Sequence, residues 1–474
     1  MKIVVYLGHP AHFHLYKNVI KNLKEDGHTV EVLIKKKENL EQLLQNSGIP
    51  YHNILREGRR DTKLGMAFGA IKRIWRELVF CIKEKPDLLT GTSVENSYVG
   101  PLLRIPVVYC GEDDAEVIPL QAKICYPGAS VVLTPDSCDD GKWNGKTTKY
   151  PSYHELAYLH PNHFQASKQI VREQGINPDK PYAIMRFVKL KANHDDNIKG
   201  INKEVALRLI ELMKPQMDIY ITSERPLEPE LEPYRIHINP IYMHDVMAFA
   251  SLYIGDSQTM AAEAGVLGVP FVRFNDFVGR IGYLRELEDD YQLGIGIHAS
   301  PLKEEENKNN KNTACADINI EKKNAESTVA DRDLRVTTNQ PAREQAPGQD
   351  ACESRTAGTG TQSPQDSLQK CASLTKNDEN IPLSGTEALY EAVEKLMALT
   401  EEERKRVYGE RVKKMLAEKI DYAKFLTWFI ENYPSSAEAV PSNPMEGHSG
   451  FIENYPQSAE ETKAADKAFW ERFK

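Results

Sequence analysis

The chain has 474 residues, of which 41% are hydrophobic and 27% are charged, so it is long enough for two or three globular domains. Its net charge of −9 is spread over both signs, which argues against a general nucleic-acid binder. Its seven cysteines are scattered without a C-x-x-C pair, which disfavours a disulfide scaffold and a zinc site. No apolar run approaches the roughly 18 residues of a membrane span, and the run at 3–7 is typical of a strand, not of a secretion signal. We therefore expect a cytoplasmic protein.

Strands and helices alternate through the first 150 residues. Short apolar runs predict strands at residues 3–7, 29–34, 87–89, 107–110 and 131–133. Amphipathic patterns between them predict helices at residues 13–26, 40–46 and 64–84. Short buried strands that alternate with helices are typical of a parallel, doubly wound sheet. Residues 1–150 are therefore predicted to form an N-terminal Rossmann-like domain.

A second alternating series follows a proline- and aromatic-rich segment at 151–165, which is interpreted as a linker. The second Rossmann-like domain is predicted over 166–302 and 381–400. Residues 303–380 contain no Phe, Tyr, Trp or His and show no periodicity, so they are expected to form a disordered insertion. Helices at 401–430 and a tail at 431–474 complete the chain. Two such domains place a cleft between them, at the carboxyl ends of their strands.

The tail begins within a duplicated sequence. FIENYPSSAE at 429–438 is repeated as FIENYPQSAE at 451–460. A single repeat of ten residues does not make a solenoid, because stacked repeats need about three units to bury a core. A tandem duplication in a tolerant tail is the favoured interpretation.

The strongest candidate site is the segment LYIGDSQTMAAEAGVLGVP at 252–270. An apolar strand ends at Gly255, and polar residues then open an Ala-rich helix: Asp256, Ser257, Gln258 and Thr259. Free N–H groups and the positive dipole end of such a helix can hold a diphosphate. Glu263 lies one turn after Thr259 on the same face and can accept hydrogen bonds from a ribose. The alternative is that Asp256 or Ser257 only caps the helix and that Glu263 is solvated.

Two further segments carry candidates for acid–base chemistry. GHPAHFH at 8–14 follows the first strand, and histidine titrates near neutral pH, so His12 and then His9 are candidate bases. The alternative is that these histidines cap or pack the helix start. A metal is disfavoured because no carboxylate or Cys lies close in sequence. After the strand at 107–110, Asp113 and Asp114 are preferred as catalytic carboxylates, whereas a solvated loop is favoured for Glu112.

Basic residues give two more hypotheses. Arg186 ends the first strand of the second domain, before His194 and Asp195, where it can neutralise a diphosphate or form a surface salt bridge. Another hypothesis concerns a basic patch over 56–76, around a helix that also holds three aromatic residues: Arg56, Arg59, Arg60, Lys63, Lys72, Arg73 and Arg76, with Phe68, Trp75 and Phe80. Peripheral contact with the inner face of a membrane is one interpretation of this patch, and an ordinary amphipathic helix is the favoured one.

The order Asp256-Ser257, Glu263, Gly268 and Pro270 resembles the motif of the UDP-N-acetylglucosamine 2-epimerases and related GT-B glycosyltransferases. The resemblance implies that Ser257 and the following backbone bind phosphate and that Glu263 binds ribose. Gln258-Thr259 replaces the Gly-Gly of the epimerases. His244 opens the preceding helix, in a region that lies near the nucleobase in such folds, and Asp245 is interpreted as a cap.

Most of the chain outside the insertion resembles the GT-B-like domain of unknown function family 354. The resemblance is carried by GHPAHFH at 8–14, ELAYLHP at 155–161, MRFVKLKANHD at 185–195 and MHDVMAFASLYIGDSQTMAAEAGVLGVP at 243–270. It implies GT-B architecture, an α/β fold of two Rossmann-like doubly wound domains that face a cleft. The N-terminal domain would then bind the acceptor and the C-terminal domain the nucleotide-sugar.

The leading hypothesis is an inverting glycosyltransferase of surface-polysaccharide or glycoconjugate synthesis. It would use a nucleotide-diphosphate sugar, expected to be UDP-linked, and an unassigned acceptor, for which a lipid-linked molecule is one candidate. No cofactor or metal is required, because a helix dipole and Arg186 can neutralise the leaving diphosphate. The alternatives are a nucleotide-sugar 2-epimerase and a non-catalytic nucleotide-sugar-binding protein.

Overall fold

The computed structural model describes residues 1–35, 38–55, 63–188, 200–300 and 384–440. The insertion expected at 303–380 and the second copy of the duplicated sequence lie outside the described residues. The described residues before 301 and after 384 belong to one compact unit. None of the helices in these ranges is both long and apolar enough to span a bilayer.

The first sheet has seven parallel strands in the order β3-β2-β1-β4-β5-β6-β7. They are β1 Lys2–Leu7, β2 Thr29–Lys35, β3 His52–Leu55, β4 Leu88–Gly91, β5 Val107–Cys110, β6 Val131–Pro135 and β7 Thr147–Tyr150. The central strands read as continuous apolar runs because helices cover both faces of the sheet. The strand order reverses between β1 and β4, so the turns that follow these two strands open a crevice at the carboxyl edge.

The second sheet has five parallel strands in the order β12-β11-β10-β8-β9. They are β8 Tyr182–Phe187, β9 Asp218–Ser223, β10 Leu252–Gly255, β11 Phe271–Phe274 and β12 Gly294–Ile297. Its order reverses between β8 and β10, which places the start of the Asp256–Ser257 turn at the second crevice. The sequence therefore predicted two doubly wound sheets correctly.

The helices pack their apolar faces on the two sheets. They are α1 Pro10–Glu25, α2 Glu38–Asn46, α3 Lys63–Glu84, α4 Val94–Leu103, α5 Pro119–Cys125, α6 Lys168–Glu173, α7 Lys203–Met213, α8 Met243–Ala248, α9 Gln258–Val266, α10 Gly282–Arg285, α11 Gly385–Met397, α12 Glu401–Glu418, α13 Tyr422–Glu431 and α14 Ser435–Ala439. Helix α11 packs beside α7 and the second sheet, whereas α13 returns to pack on α1 of the first. His28 Nε2 lies 3.1 Å from Glu431 Oε1 at this return contact.

The segment interpreted as a linker is buried. Its residues from 151 to 161 are almost all inaccessible, and a short 3-10 helix forms at His154–Ala157. Asn18 of α1 donates a 2.7 Å hydrogen bond to the carbonyl oxygen of Ala157. The same short helix contacts α9, so this segment forms part of the wall between the two sheets.

Candidate functional site

The turns at the carboxyl ends of both sheets enclose three adjoining cavities. The largest has a volume of about 750 Å³ and is lined by residues of both halves, among them His9, His14, Arg186, His244, Ser257, Thr259 and Glu263. We name it the nucleotide cavity after the ligand that the sequence resemblance leads us to expect there. A second cavity of about 300 Å³, the carboxyl cavity, includes His12, Glu112, Asp113, His154, Glu155, Tyr158, Gln258 and Thr259. Thr259 lines both. A third cavity of about 590 Å³ lies against the first sheet and shares His12 with the carboxyl cavity.

The start of α9 lies where the nucleotide cavity and the carboxyl cavity meet. Ser257 is the N-cap residue, and its Oγ accepts a 3.4 Å hydrogen bond from the backbone N–H of Met260. The N–H groups of Gln258 and Thr259 belong to the first turn, where helix geometry provides no acceptor. Ser257 therefore caps the helix, as one interpretation proposed, and also lines the nucleotide cavity. The helix start is suited to bind an anion at this junction.

Asp256 differs from Ser257 in its contacts and burial. Its Oδ1 accepts a 2.8 Å hydrogen bond from the backbone N–H of Val188, so it joins the end of β10 to the end of β8. Burial raises the pKa of Asp256 to about 6. The residue lines none of the three cavities, so its observed role is to hold the turn before α9 in place.

Glu263 is fixed in the wall of the nucleotide cavity. It is 5% exposed, so the interpretation of a solvated carboxylate is wrong. Its Oε1 accepts a 2.9 Å hydrogen bond from the hydroxyl of Tyr158 and lies 3.0 Å from His244 Nε2. The ring of His14 packs edge-on against His244 with centroids 4.7 Å apart. Burial, together with His244, holds the pKa of His14 well below its usual value, so this ring stays neutral.

Arg186 and His244 both line the nucleotide cavity. The guanidinium of Arg186 also donates from Nη2 to Glu224 Oε1 at 2.5 Å, so it forms the salt bridge that was the alternative interpretation. Arg186 therefore has both a carboxylate partner and a place in the cavity wall. His194 and Asp195 lie outside the described residues.

Both candidate histidines accept hydrogen bonds at Nδ1. His9 is the N-cap of α1 and accepts from the backbone N–H of Ala11 at 3.3 Å. His12 accepts from the backbone N–H of Gly8 at 3.1 Å. A neutral imidazole that accepts at Nδ1 carries its proton on Nε2, so each ring has an Nε2–H donor. His9 thus caps the helix, and it also lines the nucleotide cavity.

The three carboxylates of the turn after β5 do not all lie in the same place. Glu112 and Asp113 line the carboxyl cavity, whereas Asp114 lines none of the three. Asp114 instead accepts backbone N–H groups with both oxygens, from Asp139 at 2.9 Å and from Gly282 at 2.6 Å. The interpretation of Glu112 as solvated is wrong, because its Oε1 accepts a 2.7 Å hydrogen bond from the backbone N–H of His154.

Burial shifts the pKa values of three side chains that line the carboxyl cavity. It raises the pKa of Glu112 to about 8, and the neighbouring charge of Asp113 adds to that shift. Burial and the proximity of Glu112 raise the pKa of Glu155 well above its usual value. Burial lowers the pKa of His154 to about 4. Burial therefore favours the neutral forms of Glu112, Glu155 and His154, which is an arrangement suited to acid–base chemistry.

Sequence reasoning missed three residues of this site: His154, Glu155 and Tyr158. All three lie in the segment that was interpreted as a linker. A signal was present, because ELAYLHP at 155–161 contains both Glu155 and Tyr158 and is one of the segments that carry the family resemblance. Among the described residues, no group of three or more His, Cys, Asp or Glu side chains is arranged to hold a metal ion.

Two parallel, doubly wound sheets with a site at their facing carboxyl edges define the GT-B fold class. The sequence model of the family described as protein of unknown function (DUF354) matches residues 1–277. The chain belongs to this family. A search of curated proteins finds no match.

Solved structures with similar folds include sugar-nucleotide enzymes. The spinosyn rhamnosyltransferase SpnG complexed with spinosyn aglycone is 13% identical, with a TM-score of 0.50 over 91% of this chain and 100% of that chain. The UDP-GlcNAc 2-epimerase from Neisseria meningitidis, bound to UDP-GlcNAc, is 16% identical, with a TM-score of 0.47 over 63% of this chain and 87% of that chain. The UDP-GlcNAc 2-epimerase from Methanocaldococcus jannaschii is 15% identical, with a TM-score of 0.46 over 63% and 89%. At these identities the likeness concerns the fold, and the predicted GT-B class is confirmed.

Proposed function

We propose that this protein is a glycosyltransferase that uses a nucleotide-diphosphate sugar as donor. The observation that carries the proposal is the position of the α9 start, because Thr259 lines both the nucleotide cavity and the carboxyl cavity. A diphosphate bound there would have a nucleoside on one side and a sugar on the other. The helix dipole and the first-turn N–H groups supply the positive potential.

Donor binding would divide among residues of the nucleotide cavity. Ser257 and the N–H groups after it would contact the diphosphate, and Arg186 would add charge. The free lone pairs of Glu263 would accept hydrogen bonds from the ribose, while Tyr158 and His244 hold its other oxygen. The nucleobase would lie toward the wall formed by residues 235–238 and His244.

The acceptor would occupy the cavity against the first sheet, which joins the carboxyl cavity at His12 and Thr92. In the transfer step, an acceptor hydroxyl forms a bond to the anomeric carbon as the bond to the diphosphate breaks. The hydroxyl proton must pass to a base. Asp113 is the best-placed carboxylate, and His12 would donate its Nε2–H to an oxygen that carries negative charge.

A thermal-shift screen of UDP-, GDP-, CMP- and dTDP-sugars tests donor binding, because a ligand that binds only the folded chain raises the melting temperature. We expect one nucleotide class to raise it, and Glu263→Gln to remove most of the shift. Glu211→Gln, on an exposed carboxylate of α7, is the matched control. If no nucleotide-sugar shifts the wild-type protein, the donor site is wrong.

A 2-epimerase remains the second candidate, and the Glu112–Glu155 carboxyl groups favour it. Inversion beside a carbonyl or an alkene intermediate needs an acid and a base about the sugar ring. NMR of UDP-N-acetylglucosamine with enzyme in D₂O and no acceptor distinguishes the two. A second sugar nucleotide, with deuterium at C2, would establish epimerisation. Tight binding without turnover in either assay would indicate a non-catalytic binding protein.

A further inference from the structure

His154 and Glu112 make a double contact in the wall of the carboxyl cavity. The backbone N–H of His154 donates a 2.7 Å hydrogen bond to Glu112 Oε1. Glu112 Oε2 lies 3.3 Å from Nδ1 of the same histidine. The imidazole also stacks on the ring of Tyr422, with centroids 5.3 Å apart, which fixes its plane. Both carboxyl oxygens therefore meet one residue, and the second contact joins the carboxyl group to the ring.

The opposite ring nitrogen of His154, Nε2, is not used by this contact. It is buried and has no hydrogen-bond partner within the part of the chain that the structure describes, although the residue lines the carboxyl cavity. Glu155 Oε2, in the same wall, is a second buried atom without a partner there. A buried polar atom that is left unpaired costs about 1–3 kcal/mol, so two such atoms at one cavity indicate a functional role.

One proton on Glu112 decides whether Nε2 of His154 is a donor or an acceptor. When Glu112 is ionised, the Nδ1–H of a neutral ring is directed to the carboxylate, and Nε2 is an acceptor. When Glu112 is protonated, its O–H is directed to Nδ1, and the ring carries its proton on Nε2. A proton that enters at Nε2 can therefore leave from Nδ1 to Glu112, with a neutral ring before and after. Burial lowers the pKa of His154 to about 4, which favours that neutral form.

The titratable side chains around this pair come from seven elements and from the turns between them. They are His12 of α1, Cys110 of β5, Asp113 after β5, Cys138 after β6, Tyr150 of β7, Glu155 and Tyr158 of the connecting segment, Glu263 of α9, Tyr283 of α10 and Tyr422 of α13. Burial raises the pKa values of these four tyrosines and two cysteines, so they stay neutral near pH 7. After burial itself, the charges of Asp113 and Glu263 raise the pKa of Glu112.

Proton affinity increases from Asp113 to Glu112. Burial raises the pKa of Asp113 above its usual range, and the nearby His154 opposes that rise. Burial, with the charge of Asp113 adding to it, produces a larger shift at Glu112, whose pKa is raised to about 8. The transfer of a proton from Asp113 to an ionised Glu112 is therefore favourable. His154 lines the same cavity as Asp113 and contacts Glu112, so it can carry that proton.

We propose that His154 and Glu112 form a proton relay that receives the acceptor proton from Asp113. The inference rests on the proposed transferase function. As the acceptor oxygen bonds to the anomeric carbon, the diphosphate leaves with its bonding electrons and Asp113 takes the hydroxyl proton. That proton moves to Nε2 of His154, while the proton of Nδ1 moves to Glu112 Oε2. The proton is then held on Glu112, and Asp113 is again a carboxylate for the next turnover.

NMR of the protein labelled with ¹⁵N-histidine tests the relay without a ligand. In the wild type, the ring of His154 should change from the Nε2–H to the Nδ1–H tautomer as pH rises through about 8. Its signals are identified by their absence in His154→Gln. Glu112→Gln should hold the Nε2–H tautomer at every pH, because an amide N–H that faces Nδ1 does not titrate. Glu31→Gln, which alters the exposed 2.9 Å contact between His52 and Glu31, is the matched control and should leave the His154 signals unchanged.

Turnover of the nucleotide-sugar that raises the melting temperature is measured over the same pH range. We expect kcat of the wild type to rise to a plateau above about pH 8, and Glu112→Gln to lower that plateau roughly 100-fold. Circular dichroism melting confirms that each variant is folded.

Three outcomes would overturn the relay. One is a wild-type His154 tautomer that does not change with pH, and another is a change that persists in Glu112→Gln. The third is a wild-type kcat profile in Glu112→Gln. A tautomer change without any turnover would support the His154–Glu112 pair and contradict the proposed transferase function, because the NMR measurement needs no substrate.

Discussion

The hydroxyl of Tyr158 donates a 2.9 Å hydrogen bond to Glu263 Oε1, across a sequence separation of 105 residues. Tyr158 belongs to the buried segment that joins the two sheets, and Glu263 belongs to the helix at the nucleotide cavity. Burial and the charge of Glu263 raise the pKa of Tyr158 well above its usual value, so the phenol remains a donor. The connecting segment therefore orients a residue that the proposal assigns to the ribose.

Tyr158→Phe should weaken nucleotide-sugar binding without unfolding the protein. The substitution keeps the ring and removes one donor from a buried carboxylate, a loss of about 1–3 kcal/mol in comparable cases. We expect roughly a tenfold increase in Kd by isothermal titration calorimetry. Tyr51→Phe, which removes a surface hydroxyl that bonds to Gln45, is the control and should leave Kd unchanged. An unaltered Kd in Tyr158→Phe would show that Glu263 does not depend on this hydrogen bond.

Asp113→Asn should lower the catalytic rate, whereas Asp114→Asn should lower the stability of the fold. Asp113 lines the carboxyl cavity, so its variant should lower kcat by about 100-fold or more while Tm stays near that of wild type. Asp114 accepts two backbone N–H groups, one of them from Gly282 at the start of α10, between β11 and β12. Its variant should lose about 1–3 kcal/mol of unfolding free energy. Steady-state kinetics and urea denaturation measure the two effects. A loss of stability in Asp113→Asn and a loss of kcat alone in Asp114→Asn would mean that the two assignments must be exchanged.

The unfolding free energy should fall as pH rises through the range set by Glu112. Its folded-state pKa of about 8 exceeds the ordinary value of 4.5, so the folded chain binds the proton more tightly than the unfolded chain. This contribution is fully present below pH 4.5 and is lost as pH rises to about 8. Each pKa unit by which the folded and unfolded states differ corresponds to about 1.4 kcal/mol, so the loss of unfolding free energy is on the order of a few kcal/mol.

Glu112→Gln provides the comparison, because a neutral amide at this position does not titrate. As pH increases, the variant should become more stable relative to the wild type. Urea titrations at pH 5 to pH 9 measure it. Glu211→Gln, on the solvent-exposed face of α7, should show the wild-type pH dependence. Parallel curves for wild type and Glu112→Gln would mean that Glu112 is ionised in the folded protein.

The sequence predicted the two sheets because local patterns determine strands and helices. Apolar runs such as residues 3–7 mark buried strands regardless of what lies next to them. The same reasoning located the α9 start, since Gly255, Ser257 and Glu263 are close in sequence. It could not locate Glu155, whose place depends on packing between segments distant in sequence. It also could not separate Asp113 from Asp114, because adjacent side chains diverge only once the backbone path is known.

Gly255→Ala should destabilise the chain by bringing β10 into conflict with β8. A Cβ at this position would lie 2.9 Å from the carbonyl oxygen of Arg186 and 2.6 Å from the hydroxyl of Tyr253. The tyrosine can move, but the Arg186 carbonyl belongs to the paired strand, so the strands must separate where Asp256 joins them. We expect a loss of about 1–3 kcal/mol in unfolding free energy.

Gly145→Ala is the matched control, because no heavy atom lies within 4 Å of its Cβ position. Since Ser257 and Thr259 follow directly, the Gly255 variant should also weaken nucleotide-sugar binding. Equal unfolding free energies for the two variants would show that the β8–β10 contact accommodates a methyl group.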